Sequence, residues 1–84
     1  MTDEAEAKLQ EILRAALELP REVDVVGARQ PDVETWDSLG HVTLMVALES
    51  EFGISIDVAD QMRLTSYAAI RLYLEERGVG VTGG

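Results

Sequence analysis

The chain contains no cysteine, which excludes a disulfide framework and a thiolate metal site. Histidine is almost absent too, and the carboxylates show no spacing typical of metal ligands, so we expect no metal held by the protein itself. No stretch approaches the roughly 20 apolar residues of a membrane-spanning helix. The acidic start, Met1 to Glu4, differs from the basic start of a secretory signal peptide. These absences predict a cytoplasmic protein that does not enter a membrane.

Basic residues are scarce. Seven lysines and arginines stand against sixteen aspartates and glutamates, which gives a net charge of −9. Such a charge repels phosphate backbones and argues against nucleic acid as a partner. It steers basic protein surfaces towards the chain, so we expect transient protein partners.

A chain of 84 residues supports one small hydrophobic core. We therefore expect one domain over 1–84, with its core at about 3–78, a flexible glycine-containing tail at 79–84, and a monomer.

The first periodic segment predicts a helix over residues 3 to 19. Its apolar positions fall on one face of a helix. They are Leu9, Ile12, Leu13, Ala16 and Leu17. Thr2 or Asp3 is suited to cap its start, and Pro20 is expected to end it because proline has no N–H group.

A long loop is expected over residues 20 to 37. Val23-Asp24-Val25 alternates like a strand, but nothing else in the chain offers a partner strand, so the loop interpretation is favoured. We expect its valines to be tucked against the helices; they are at positions 23, 25, 26 and 33.

The second helix is predicted from Asp37 or Ser38 to Phe52, with Gly53 as a left-handed cap. A helical wheel predicts a core face and an opposite, outer face. The core face comprises His41, Leu44, Met45, Leu48 and Phe52, and the outer face comprises Gly40, Thr43, Ala47, Ser50 and Glu51. Three further apolar residues, Leu39, Val42 and Val46, have no place in that core. Either they form a docking surface or the long loop covers them.

Two more helices follow. Asp57 to Met62 has room for only a turn or two. In the last helix, Thr65 or Ser66 is a suitable N-cap and Gly78 a suitable stop. Its apolar stripe comprises Tyr67, Ile70, Tyr73 and Leu74. The predicted fold class is all-α: a small four-helix bundle with three main helices, one short helix and a long loop between helices 1 and 2.

Ser38 lies at the start of the second helix, where a hydroxyl often serves as the cap. Asp37 is an equally good cap, which leaves the Ser38 hydroxyl available for other chemistry. A helix start favours a bound anion, so a phosphate ester on Ser38 would lie in a favourable field. Asp37 could then help to hold Mg²⁺ during phosphate transfer.

The run Asp37-Ser38-Leu39 begins a longer resemblance. It continues through Val42, Leu44, Ala47-Leu48-Glu49, Glu51-Phe52, Ile54-Ser55-Ile56, Leu64-Thr65-Ser66, Ala68-Ala69-Ile70 and Leu74. Over roughly residues 35 to 76 the chain resembles, without a gap, the free-standing acyl carrier proteins, whose Asp-Ser-Leu serine carries 4′-phosphopantetheine.

The resemblance implies a non-catalytic carrier. A separate phosphopantetheinyl transferase would use Mg²⁺ and coenzyme A to modify Ser38, and acyl-loading and acyl-processing enzymes would then use the arm. It places Leu39, Val46 and Glu49 at partner-contact positions of the second helix, with Val42 in the same apolar group.

The chain also departs from the family. Carriers of fatty-acid synthesis tend to have acidic residues after Ser-Leu, where this chain has Gly40, His41 and Thr43. The resemblance therefore favours a specialised pathway, polyketide-related or using small hydroxylated three-carbon units.

Two other functions stay open. His41, three residues after Ser38, could activate it as in a hydrolase, although one histidine in 84 residues leaves little material for an oxyanion hole and an orienting carboxylate. In this context we expect His41 to be a half-buried spacer. Alternatively, the chain is an acidic helical adaptor without a prosthetic group, which docks its partners through helix 2.

Overall fold

The computed structural model describes residues 1–79, and over this range the chain folds into α-helices without a strand. The α-helices are α1 (Asp3–Leu17), α2 (Ser38–Phe52), α3 (Val58–Gln61) and α4 (Tyr67–Glu76), and a short 3-10 helix covers Gln30–Asp32. The all-α prediction is confirmed. Residues 80–84, most of the predicted tail, lie outside the described part, whereas Val79 packs against the core.

Helix α1 begins where the sequence predicts but ends earlier than predicted. Thr2 is the N-cap and accepts a hydrogen bond from the Ala5 N–H. The helix ends at Leu17, earlier than the predicted residue 19, because Glu18 adopts a left-handed conformation with φ of 54°. Its neighbour Leu19 then donates its N–H to the Arg14 carbonyl over 2.9 Å. Left-handed backbone in a glutamate is uncommon, so composition gave no signal for this stop.

The loop between α1 and α2 contributes to the core and pairs with the start of α4. Val25 is buried, whereas Val26 is exposed, so the expectation of tucked valines holds only in part. The Gln30 N–H donates to the Thr65 carbonyl over 2.8 Å, and the Tyr67 N–H donates to the Ala28 carbonyl over 3.0 Å. These two bonds hold the loop to α4 by backbone pairing, without forming a strand.

Helix α2 begins and ends as predicted. Asp37 caps its start, and Gly53 ends it in the left-handed region with φ of 65°. Leu44, Met45 and Leu48 are buried, which confirms the centre of the predicted core face.

The predicted outer face of α2 was wrong for Gly40 and Ala47. Ala47 packs against the core, and a methyl group placed on Gly40 would lie only 2.2 Å from the Thr35 carbonyl oxygen. Glycine at residue 40 therefore allows the loop backbone to approach α2 closely.

The core is one hydrophobic cluster to which all three long helices contribute. Its buried members are Leu9, Ile12, Leu13, Leu17, Ala28, Trp36, Leu44, Met45, Leu48, Ile56, Leu64, Tyr67, Ile70 and Leu74. Trp36 comes from the loop and Ile56 from the link before α3, so the irregular segments are fixed by burial.

Ser66, one of the two predicted caps, caps α4 by accepting a hydrogen bond from the Ala69 N–H. Gly78 follows the helix with φ of 78°.

Candidate functional site

Ser38 is exposed at the first residue of α2, and its hydroxyl is not the helix cap. The side chain of Asp37 instead accepts the Gly40 N–H over 2.8 Å. The first N–H groups of a helix have no acceptor within the helix, and the helix dipole is positive there. The structure thus places an exposed hydroxyl, free of capping, where a phosphate would be stabilised.

His41 lies on the same helix, one turn after Ser38, and both of its ring nitrogens have other partners. The indole N–H of Trp36 donates to Nδ1 over 3.0 Å, and Nε2 lies 2.7 Å from the Gln61 carbonyl oxygen. An indole N–H only donates and a carbonyl only accepts, so Nδ1 is the acceptor and Nε2 carries the proton. His41 is half-buried as expected, but it joins the loop, α2 and α3 and is more than a spacer.

A chain of hydrogen bonds continues from this histidine across α3. The Gln61 side chain donates to the Ile56 carbonyl over 2.9 Å, and the Ile56 N–H donates to Oε2 of Glu49 over 2.8 Å. Hydrogen bonds therefore connect α3 to α2 at two places. One involves His41, near the start of α2, and the other runs through Ile56 to Glu49, near the end of α2. The resemblance implies a partner contact for Glu49; what the structure shows is that Glu49 accepts this intramolecular hydrogen bond.

The side chains of Leu39, Val42 and Val46 on α2 are exposed to solvent. Their exposed fractions are 76%, 56% and 59%. The alternative in which the long loop covers them is therefore wrong. Apolar residues exposed side by side on one helix are typical of a docking surface, and we name these three the α2 strip.

Helix α3 and its C-cap residue each expose an apolar side chain that sequence reasoning missed. Val58 is 72% and Met62 74% exposed. They are four residues apart, which places them on one side of a helix and was a usable signal. Because α3 was expected to be only a turn or two, its two faces were not assigned.

An open groove lies beside the α2 strip, between the end of α1, the loop and the start of α2. Its volume is about 370 Å³. It is lined by Ala15, Ala16, Leu17, Glu18, Thr35, Asp37, Leu39, Gly40 and Thr43. The methyl side chains of Ala15 and Ala16 and the absence of a side chain at Gly40 leave this space open.

Within residues 1–79, no group of three or more histidine, aspartate or glutamate side chains is arranged to hold a metal ion. Over the same range, no helix is long and apolar enough to cross a membrane.

Comparison with protein-family models, with curated proteins and with solved structures found no match.

Proposed function

We propose that this chain is an acyl carrier protein whose 4′-phosphopantetheine arm is attached to Ser38. The observation that carries the proposal is the exposed Ser38 hydroxyl at the first residue of α2, left free because Asp37 is the cap. The fold that goes with this function is a small four-helix bundle, in which α3 is the short helix and follows α2 in the chain. When bound, the arm supplies a thiol that holds biosynthetic intermediates as thioesters.

The residues around Ser38 fit a phosphodiester. The positive end of the α2 dipole stabilises the negative charge of the phosphate. Asp37 uses Oδ1 in the cap, so its other oxygen is available to Mg²⁺ during transfer. The chain supplies the position of the acceptor oxygen, and the phosphopantetheinyl transferase supplies the catalysis.

The partners we propose are this transferase and the acyl-loading and acyl-processing enzymes of the pathway. They dock on the α2 strip, beside the modified serine, and Glu49 lies on the adjoining side of the helix. The strip gives an apolar contact and the charge of −9 attracts basic enzyme surfaces. We place the chain in the cytoplasm, as a monomer.

The departures from fatty-acid carriers support a specialised pathway, polyketide-related or using small units. Residue 40 must be glycine because the Thr35 carbonyl lies against it. Residue 41 must be histidine because its ring bonds to Trp36 and to Gln61. Acidic side chains at these two positions would disrupt the loop packing and the hydrogen bonds. Partners that need acidic residues there are therefore unsuited to this chain.

A hydrolase using Ser38 and His41 is disfavoured. A general base for Ser38 must hold an unprotonated nitrogen within reach of its hydroxyl. In His41 the unprotonated nitrogen accepts the Trp36 indole N–H, and the other nitrogen faces Gln61. We therefore propose a carrier without catalytic activity.

The second candidate is an acidic adaptor without a prosthetic group, favoured by the exposed α2 strip, which it would use in the same way. The two functions differ only in the need for Ser38. Intact-mass measurement after incubation with coenzyme A, Mg²⁺ and a broad-specificity phosphopantetheinyl transferase separates them. We expect one phosphopantetheine adduct on the natural chain and none on Ser38→Ala.

The matched control for this experiment is Ser50→Ala, which removes another exposed hydroxyl from the same helix. It should be modified like the natural chain. If the natural chain gains no adduct while a known carrier is fully modified, the carrier function is wrong and the adaptor is favoured.

A further inference from the structure

A side-chain pair closes the first turn of α2. Trp36 is the residue before the cap Asp37, and His41 is the fourth residue of the helix. Side chains at these two positions often pack together and fix the angle at which the chain enters a helix. Here the indole N–H of Trp36 also donates to Nδ1 of His41, and the ring centroids lie 6.3 Å apart. Trp36 and His41 thus form a staple across the turn that contains Ser38.

Both ends of this staple are anchored outside α2. The Trp36 side chain is buried in the core, and its backbone N–H donates to the Val33 carbonyl over 3.0 Å. On the other side, Nε2 of His41 lies 2.7 Å from the Gln61 carbonyl oxygen of α3. The imidazole is therefore fixed in rotation as well as in position, because each ring nitrogen has its own partner.

The position of Ser38 depends on this turn because the serine side chain is exposed and has no burial of its own to fix it. The end of a helix frays readily, since its first N–H groups have no partners within the helix. In α2 the cap joins residue 37 to the Gly40 N–H, and the staple joins residue 36 to residue 41. Two nested links therefore enclose Ser38.

Modification of a serine requires an accurately placed acceptor. In the proposed function, the Ser38 oxygen forms a bond to the phosphorus next to the pantetheine of coenzyme A. The bond from that phosphorus to the adenosine bisphosphate leaving group breaks, and the hydroxyl proton passes to the transferase. Proteins accelerate such transfers mainly by positioning and by stabilising charge. A serine that is already in place avoids the cost of ordering it at the moment of transfer.

We propose that His41 is a positioning residue for the modification of Ser38, because its bond to Trp36 keeps the first turn of α2 formed. This inference rests on the proposed carrier function. Its effect differs from that of the α2 strip, which is a docking surface. Loss of the His41 bond is expected to lower the rate of transfer and to leave the affinity for the transferase unchanged.

The test is single-turnover modification by excess transferase with coenzyme A and Mg²⁺, measured at several transferase concentrations. We expect His41→Phe, which keeps a ring but removes the acceptor, to lower the maximal rate by about twofold to tenfold, the range of one lost hydrogen bond. The half-saturating concentration of transferase should stay the same, since the α2 strip is unchanged. His41→Gln, whose amide both accepts and donates, should recover part of the rate.

The control variant is Ile54→Ala, which truncates a partly buried side chain just after α2, at the opposite end of this helix from Ser38. It lowers the stability of the fold without removing a bond of the staple. At a temperature at which circular dichroism shows every variant folded, Ile54→Ala should be modified at the natural maximal rate.

Amide hydrogen exchange reports on the first turn directly and needs no transferase. The Gly40 amide should exchange about twofold to tenfold faster in His41→Phe than in the natural chain, and at the natural rate in Ile54→Ala. A natural maximal rate of modification in His41→Phe, or an equal slowing in Ile54→Ala, would overturn the positioning role. A natural chain that is not modified at all would instead contradict the carrier function, so the two failures are separate results.

Discussion

The indole nitrogen of Trp36 donates a hydrogen bond to Nδ1 of His41 over 3.0 Å, with the two rings stacked at an interplanar angle of 24°. Trp36 is 2% exposed, so its N–H has little access to water as an alternative partner. The opposite ring nitrogen of His41 bonds to α3. One imidazole thus fixes the segment before Ser38 and the short helix beside it.

Replacing this imidazole with a phenyl ring should destabilise the fold. His41→Phe keeps a ring but leaves the buried Trp36 N–H without an acceptor, which costs about 1 to 3 kcal/mol. Urea unfolding followed by tryptophan fluorescence measures the loss. His41→Gln, whose amide both accepts and donates, should recover part of it. Equal stability of His41→Phe and the natural chain would show that the Trp36 bond contributes nothing.

Because Asp37 caps α2 and Ser38 does not, substitutions of these two adjacent residues should have unequal effects on stability. Asp37→Ala removes the cap of α2 and should lower the free energy of unfolding by about 1 kcal/mol. Ser38→Ala removes an exposed hydroxyl that is not the cap and should change it by less than about 0.5 kcal/mol. Urea unfolding of both variants checks this. A larger loss for Ser38→Ala would mean that the hydroxyl is structural.

Gly40→Ala should destabilise the chain although alanine favours helix more than glycine. The added methyl group would lie 2.2 Å from the Thr35 carbonyl oxygen, and overpacking of this kind costs about 1 to 3 kcal/mol. Gly27→Ala is the control, since its methyl group would meet its nearest neighbour, a side-chain oxygen of Asp24, at an ordinary 3.5 Å. Thermal unfolding should separate the two variants, and similar melting temperatures would refute the close approach.

Alkaline pH should weaken the fold through Tyr67. Burial raises the pKa of this phenol above its usual value of 10.0, and the nearby Glu6 carboxylate adds to the increase, while a hydrogen bond with Gln10 opposes it. The neutral phenol is favoured in the folded state, so this contribution to stability is complete below pH 10 and is lost as the pH rises towards the folded-state pKa. Urea unfolding across this range should show a smaller loss in Tyr67→Phe. The same alkaline loss in both proteins would contradict the assignment.

Much of the helical structure could be predicted because its signals are local. Asp37 and Gly53 mark the two ends of α2 by their own capping chemistry, and Ser66 does the same for α4. The residues of the α2 strip could also be identified from spacing, since α2 has apolar residues on both sides and only one side can face the core. Whether the long loop covers them could not be predicted, and the structure shows that they are exposed.

The remaining features depend on contacts between residues distant in sequence. The partners of His41 are five residues before it and twenty after it, and no periodicity indicates either one. Gly40 was placed on the outer face because nothing local shows that the Thr35 carbonyl lies against it. The left-handed Glu18, which ends α1 early, occurs in a residue type that rarely adopts that conformation.

The most direct measurement of the central claim is acylation of the chain itself. The protein is incubated with acetyl-coenzyme A, Mg²⁺ and a broad-specificity phosphopantetheinyl transferase, then digested, and the peptide containing Ser38 is analysed by mass spectrometry before and after treatment with hydroxylamine. We predict an acetyl-phosphopantetheine adduct on Ser38 that hydroxylamine converts to the free-thiol form, as expected of a thioester. An unmodified Ser38 peptide, or an adduct on another residue, would contradict the account.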